Sequence, residues 1–177
     1  LRDGLPLADG YRVVPVGVVA VRDPHEGLAR HCRHGSEHAF VRDVAAAKQR
    51  YMEAHGLYFL GRFPCPNHPR KERNAMLERT AYLAAARHFK WPIERVTLPF
   101  RGLPGDGSEL VLLVRRPSNA VRPPVVLMWG GVDAWKEQMT AMSDALLARG
   151  IATVAMDNAG TGESPVKGDT TGERQFL

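Results

Sequence analysis

Two short runs, the wholly apolar Val125 to Met128 (VVLM) and the mainly apolar Ile151 to Met156 (IATVAM), restrict this chain more than any other feature. Each has strand length and no alternating polar position, the pattern of strands covered on both faces. Between them, Lys136 to Arg149 has the rhythm of an amphipathic helix. Met139, Met142, Ala145, Leu146 and Ala148 form its expected inner side, and Gly150 is a suitable stop. A strand–helix–strand unit of this length implies a parallel pair with a right-handed crossover. The fold class is therefore α/β.

Upstream, Arg95 to Phe100 (RVTLPF) and Leu110 to Arg116 (LVLLVRR) read as two more strands. The segment between them clusters Gly102, Pro104, Gly105 and Gly107, which is turn chemistry, so the two strands form an antiparallel hairpin. Composition changes near residue 93, before which Ala, Arg and His dominate. Ala39 to Leu60 carries a helical pattern, with Phe40, Val44, Ala47, Tyr51 and Tyr58 on one face. The proline-rich GRFPCPNHP breaks it. A second helix follows from Arg70 to Phe89, opened by Pro69, with Met76, Leu77, Thr80, Tyr82, Leu83 and Ala86 as its apolar stripe. YRVVPVGVVAV near the start reads as an extended segment. The expected domains are a helical region, 1–93, and a sheet-containing region, 94–177.

Several function classes are disfavoured. No apolar run approaches the roughly 18 residues that span a bilayer, and the first residues lack the pattern of a signal peptide. A cytoplasmic location and no membrane partner are therefore expected. Cys32 and Cys65 make no disulfide framework, which fits a reduced compartment. The net charge is +5, but the basic residues are interleaved with acids and form no dense run with aromatics, so no nucleic-acid partner is expected. His31, His34 and His38 share helical spacing, and Cys65 and His68 are further donor types. Gly35 interrupts the histidines and no close cysteine pair exists, so the expectation is no metal site; these histidines are read as surface or interface residues.

Two loops could carry chemistry. Trp129-Gly130-Gly131-Val132-Asp133-Ala134-Trp135-Lys136-Glu137 follows the first apolar strand, at the carboxyl end where open α/β sheets place ligands. Its glycines permit a tight turn with unobstructed amides, and an N–H there can stabilise a developing oxyanion. A plain turn with Asp133 as helix cap is the competing reading. Asp157-Asn158-Ala159-Gly160-Thr161-Gly162-Glu163-Ser164 follows the second strand. An acid there can hold a ribose, but the first loop lacks the spaced G-x-G-x-x-G, and no P-loop pattern occurs, so no cofactor is expected.

Taken together and in this order, the hairpin, the WGGVDAWKE loop and the DNAGTGES loop resemble the first half of an α/β-hydrolase. The preceding helices, YMEAHGLYFLGRFPCPNHP, and the residues Gly130, Gly131, Asp133, Lys136 and Glu137 look like one subgroup. It contains the fermentation–respiration switch esterases, dihydroxypseudooxynicotine hydrolase and polyketide-shortening hydrolases. The resemblance covers roughly residues 45 to 177. It implies a helical region followed by an incomplete hydrolase sheet, and a serine hydrolase acting on an ester or an activated C–C bond next to a carbonyl. The substrate would be a small-molecule ester or ketone. The helical region is implied as part of a lid and as a homodimer surface.

The sequence departs from the family in one respect. Ser36, Ser108, Ser118, Ser143 and Ser164 all lack the G-x-S-x-G elbow, and all seven histidines precede the sheet. Only the oxyanion loop carries over: the backbone N–H of Val132, positioned by Gly130 and Gly131. In the family's strand order, Val125–Met128 would lie beside the strand bearing the nucleophile. Without that strand its edge is open, and either the remainder of the hydrolase domain or a second chain must close it; we favour the former. The rival reading is a non-catalytic helical interaction module joined to a degenerate hydrolase sheet.

Overall fold

The computed structural model describes residues 12–14, 37–118, 120–168 and 172–176. They fall into two units, one ending at Pro92 and one containing Ile93 onward together with the short N-terminal strand. Of the extended segment YRVVPVGVVAV, the three residues Arg12–Val14 form strand β1. The rest of that segment, with Ser36, Cys32, His25, His31 and His34, lies outside the described residues.

The sheet unit follows β1 with β2 (Glu94–Pro99), β3 (Glu109–Arg115), β4 (Val125–Trp129) and β5 (Ala152–Met156), in the order β1-β2-β3-β5-β4. β2 and β3 form the antiparallel hairpin, with Glu94 opposite Val114 and Pro99 opposite Glu109. The turn uses Gly105 at φ 96°, a left-handed conformation that suits glycine. β4 and β5 are parallel, as their helical connection requires, with Trp129 opposite Met156. The α/β reading stands, and the sheet is incomplete.

The connecting helix differs in detail from its periodicity. Lys136–Met139 is a tight 3₁₀ turn, and only Thr140–Leu147 (α3) is α-helical. The 3₁₀ turn follows from local bonds. Trp135 donates its N–H to Gln138 Oε1 at 2.7 Å, and Gln138 donates its N–H to Trp135 O at 3.0 Å. The inner face also shifts. Ser143 and Leu147 are buried, whereas Met142, Ala145 and Ala148 are exposed. Two polar anchors explain this. The Ser143 and Thr153 hydroxyls meet at 2.6 Å, and Arg115, buried at the end of β3, donates to Asp144 Oδ1 at 2.6 Å. Together they turn Ser143 and Asp144 toward the sheet, so Met142 faces away.

The two apolar strands part company. In β5 every residue except half-buried Val154 is buried. In β4 only Met128 is buried, and Val125, Leu127 and Trp129 are 61%, 47% and 50% exposed. β4 stands at the end of the sheet order, with β5 as its one strand partner among the described residues. A strand with the composition of a covered one thus forms an open, apolar edge.

The helical unit is a hairpin of α1 (Glu37–Arg62) and α2 (Pro69–Ala86), packed along one another. Pro69 opens α2 as anticipated, and His68 caps it by accepting the Arg70 N–H on Nδ1 at 3.2 Å. The buried face of α2 runs through Ala75, Glu78, Ala81, Tyr82 and Ala85, not through Met76, which is 57% exposed. Small alanines let the helices approach. Glu78 is inside because Arg62 is there: the guanidinium Nε donates to Oε2 at 2.6 Å and a terminal nitrogen to Oε1 at 3.3 Å. His55 is also buried, its ring 5.4 Å from that of Tyr82, and belongs to the core of the hairpin. No helix among the described residues is long and apolar enough to cross a membrane.

Candidate active site

Both loops singled out in the sequence lie at the carboxyl ends of β4 and β5, which are neighbours. Gly130 is required by a close approach: a Cβ there would stand 1.7 Å from the carbonyl oxygen of Ala134. The loop therefore folds back on itself within five residues. Gly131 is less constrained, since its Cβ would meet Asp133 Oδ1 at an ordinary 3.4 Å. Val132 is exposed at the loop's outer side. Asp133 does not cap the helix; Trp135, extended at φ −97° and ψ 178°, is the residue at that position.

The second loop is organised around the carboxylate of Asp157, which is 1% exposed. Its Oδ1 accepts the backbone N–H of Lys136 at 2.9 Å. Its Oδ2 accepts the Lys136 ammonium at 2.5 Å and the backbone N–H of Glu163 at 2.7 Å. The loop can close over the carboxylate because residue 162 is glycine at φ 51°: a Cβ there would be 2.2 Å from Oδ2. Gly160, at φ 76°, similarly leaves room for the backbone of Gly168. With both oxygens engaged and buried, Asp157 is not presented to a ribose, which argues against the nucleotide reading.

Lys136 is itself fully buried. Its ammonium lies 2.5 Å from Asp157 Oδ2, 2.9 Å from Glu163 Oε2 and 3.3 Å from Glu137 Oε1. Burial works against its charge, but the carboxylates of Glu137, Asp157 and Glu163 more than offset this and hold its pKa above the ordinary lysine value. Its three carboxylate partners favour the ammonium over an amine nucleophile. Glu163 is also bound by Arg95 of β2 at 2.9 Å. The 3₁₀ turn Gly172–Phe176 completes the cluster. Gln175 Nε2 donates to the carbonyl oxygen of Asp157 at 2.6 Å, and its Oε1 accepts the hydroxyl of Ser164. Arg174 grips Asp106 of the β2–β3 turn through two nitrogens, at 3.0 and 2.9 Å. The Phe176 ring lies 5.8 Å from that of Trp129.

Gly130, Gly131 and Val132 thus sit on one short loop whose far end is anchored to Asp157. Ser164 is tied into the second loop, and Ser143 is buried against Thr153, so neither is presented as a nucleophile. Among the described residues no cluster of three or more His, Cys, Asp and Glu could hold a metal. Sequence reasoning missed Lys136 as a buried centre, together with Glu163, Arg95 and Gln175. A signal did exist: a lysine in the first turn of a helix between two apolar strands has little solvent to reach.

The sheet has the strand order β2-β3-β5-β4, with a glycine-turned loop after β4 and an Asp-x-x-Gly-x-Gly-x-Ser loop after β5, and the chain is similar to several known proteins. The structure known as AbyA5 superposes with TM-score 0.60 at 26% identity, over 78% of this chain and 40% of the other. The 2,6-dihydroxy-pseudo-oxynicotine hydrolase superposes with TM-score 0.59 at 28% identity, over 71% and 34%. In sequence, a 2,6-dihydropseudooxynicotine hydrolase of Paenarthrobacter nicotinovorans is 32% identical over 94 residues, 53% of this chain and 24% of that protein. The chain belongs to the α/β-hydrolases. Within them it falls in the subgroup of these relatives. No family model matches it. This α/β-hydrolase chain spans between about a quarter and two fifths of the length of the proteins it matches.

Proposed function

We propose that the chain is the N-terminal portion of a serine hydrolase that cleaves an ester or an activated C–C bond next to a carbonyl. It supplies the oxyanion loop, and the Ser-Asp-His triad comes from the remainder of the domain. The observation that carries this is the loop Gly130–Trp135, turned by a glycine that admits no Cβ and anchored to the neighbouring strand's loop by Lys136 and Asp157. An oxyanion donor must stand at its final position before charge develops, and such a loop meets that condition.

In the proposed reaction a serine oxygen gives its proton to the histidine and attacks the substrate carbonyl carbon. The π electrons move onto the carbonyl oxygen, which the N–H of Val132 then hydrogen-bonds. Collapse of this intermediate expels the leaving alkoxide or carbanion, which takes a proton from the histidine. Water hydrolyses the acyl-serine in the same way. The apolar open edge of β4 is where the strand carrying the nucleophile would pair, which supports a missing remainder rather than a finished sheet. A cytoplasmic location and a homodimer through the helical region belong to the same proposal.

The test uses the longer polypeptide that carries a G-x-S-x-G elbow. It should hydrolyse p-nitrophenyl esters, and Val132→Pro, which deletes the one N–H, should lower kcat by about 10²–10³-fold. The 177-residue chain by itself should be inactive; turnover by that chain as a soluble monomer would overturn the reading.

A further inference from the structure

Lys136 makes two bonds to one carboxylate, and they come from different parts of the residue. The main-chain N–H holds Asp157 Oδ1 at 2.9 Å, and the ammonium holds Oδ2 at 2.5 Å. Such a bidentate grip fixes the backbone of residue 136 as well as its side chain, because the two donors are joined by the lysine stem. The carboxylate cannot yield on its other side, where the α-carbon of Gly162 closes over it and the N–H of Glu163 binds it. Glu163 is held in turn by Arg95, on a strand inside the sheet. One continuous set of ionic contacts therefore runs from the sheet to the last residue of the Gly130 loop.

We propose that Lys136 is a positioning residue for the oxyanion loop, setting where the Val132 N–H stands by fixing the loop's far end to the Asp157 carboxylate. This rests on the reading of Val132 given above. Charge is not the means by which it acts. Lys136 and Arg95 face Glu137, Asp157 and Glu163, so these five groups carry one negative charge in excess, which would oppose an oxyanion rather than stabilise it. Stability alone does not account for a lysine either. Apolar side chains of similar volume commonly replace buried ion pairs at no loss, whereas no apolar side chain can bond Oδ2 while its own N–H bonds Oδ1.

The variant Lys136→Met/Glu137→Gln removes one cation and one anion together and keeps the charge of the cluster unchanged. In the 177-residue chain, hydrogen exchange of the Trp135 amide, which donates to Gln138 Oε1 at the end of the loop, should quicken at least about tenfold, while β2, β3 and β5 keep their protection. Unchanged exchange of that amide overturns the proposal. If the double variant does not fold, Asp157→Asn replaces it: one side-chain oxygen can still accept the main-chain N–H, but its NH₂ cannot accept the ammonium, and the same selective loosening is expected. In the longer polypeptide the double variant should lower kcat by about 10²-fold with KM little changed. Added to Val132→Pro it should cost nothing further, because both act through one donor; losses that multiply overturn the proposal. A wild-type protein without ester hydrolysis, but with a loop that loosens on substitution, would defeat the enzymatic reading and leave the positioning role standing.

Discussion

Arg62 in the helical hairpin and Lys136 in the sheet unit are both fully buried cations, and the contrast between them shows what each is for. Arg62 meets the carboxylate of Glu78 in a bidentate pair between two helices, with the Phe59 ring 4.9 Å from its guanidinium carbon. Its other terminal nitrogen donates to the carbonyl oxygen of Pro64 just past the helix end. The pair ties the end of α1 to the middle of α2, near the connection between the two helices. Lys136 meets three carboxylates on two loops and uses its own main chain as well. Arginine suits the first task because its planar fork matches a carboxylate, and lysine the second because three donors on a point charge can satisfy three acceptors in different directions.

The largest expected effect breaks the first of these. Glu78→Leu takes from the buried Arg62 the carboxylate it is forked to and should cost about 3–5 kcal/mol, read from urea denaturation followed by helical circular dichroism. Arg62→Met/Glu78→Leu should recover most of that loss. A double variant as unstable as the single one would mean that the pair carries more than its mutual neutralisation.

A smaller effect sharpens the second. Gly162→Ala places a methyl against Asp157 at a left-handed φ, whereas Gly150→Ala meets only the conformational cost, since no atom lies within 4 Å of its Cβ. The Gly150 change should cost roughly 1–2 kcal/mol, and the Gly162 change about 1–3 kcal/mol more, from overpacking. Equal losses would show that the Asp157 carboxylate moves aside freely and is not the fixed point assigned to it.

The smallest expected effect concerns another ion pair of the sheet unit, Arg174–Asp106. The Arg174 guanidinium, with the N–H of Leu103, holds the Asp106 carboxyl down at about 2, below its ordinary 3.8. A depressed carboxyl stabilises the fold fully above its unfolded pKa and loses that contribution as pH falls through the folded value. Stability due to this group should therefore be constant from neutral pH to about 4 and decline between about 4 and 2. Asp106→Asn should flatten that part of an acid titration of unfolding. The Lys136 cluster adds nothing over this range through its lysine, whose raised pKa keeps it charged far above it.

The same contrast marks what could be read in advance. Both cations stood in segments whose secondary structure was legible, because helix and strand rhythm is a local property: α1, α2, β2, β3, β4 and β5 all formed within a few residues of expectation. Which face was buried was not. Met76 and Met142 looked like core and are exposed, while Glu78 and Ser143 are inside. An apolar residue is buried only if a neighbour covers it, and a polar one only if a partner meets it; Arg62 and Thr153, which decide the matter, lie 16 and 10 residues away. The glycines of the two loops could be recognised as turn-formers. Only the fold distinguished Gly130 and Gly162, where contacts forbid a side chain, from Gly131, where they permit one.

By itself, then, the sequence determined the α/β class, the parallel pair with its helical connection, the two loops at the strand ends and the family they resemble. Each follows from short-range periodicity, turn chemistry or residue spacing. The tertiary structure decided that β4 is an open edge although it is at least as apolar as covered β5, and that Lys136, at the start of the expected helix, is buried among three carboxylates. Burial and electrostatic environment are set by residues far apart in the chain, and those distances close only when the chain folds.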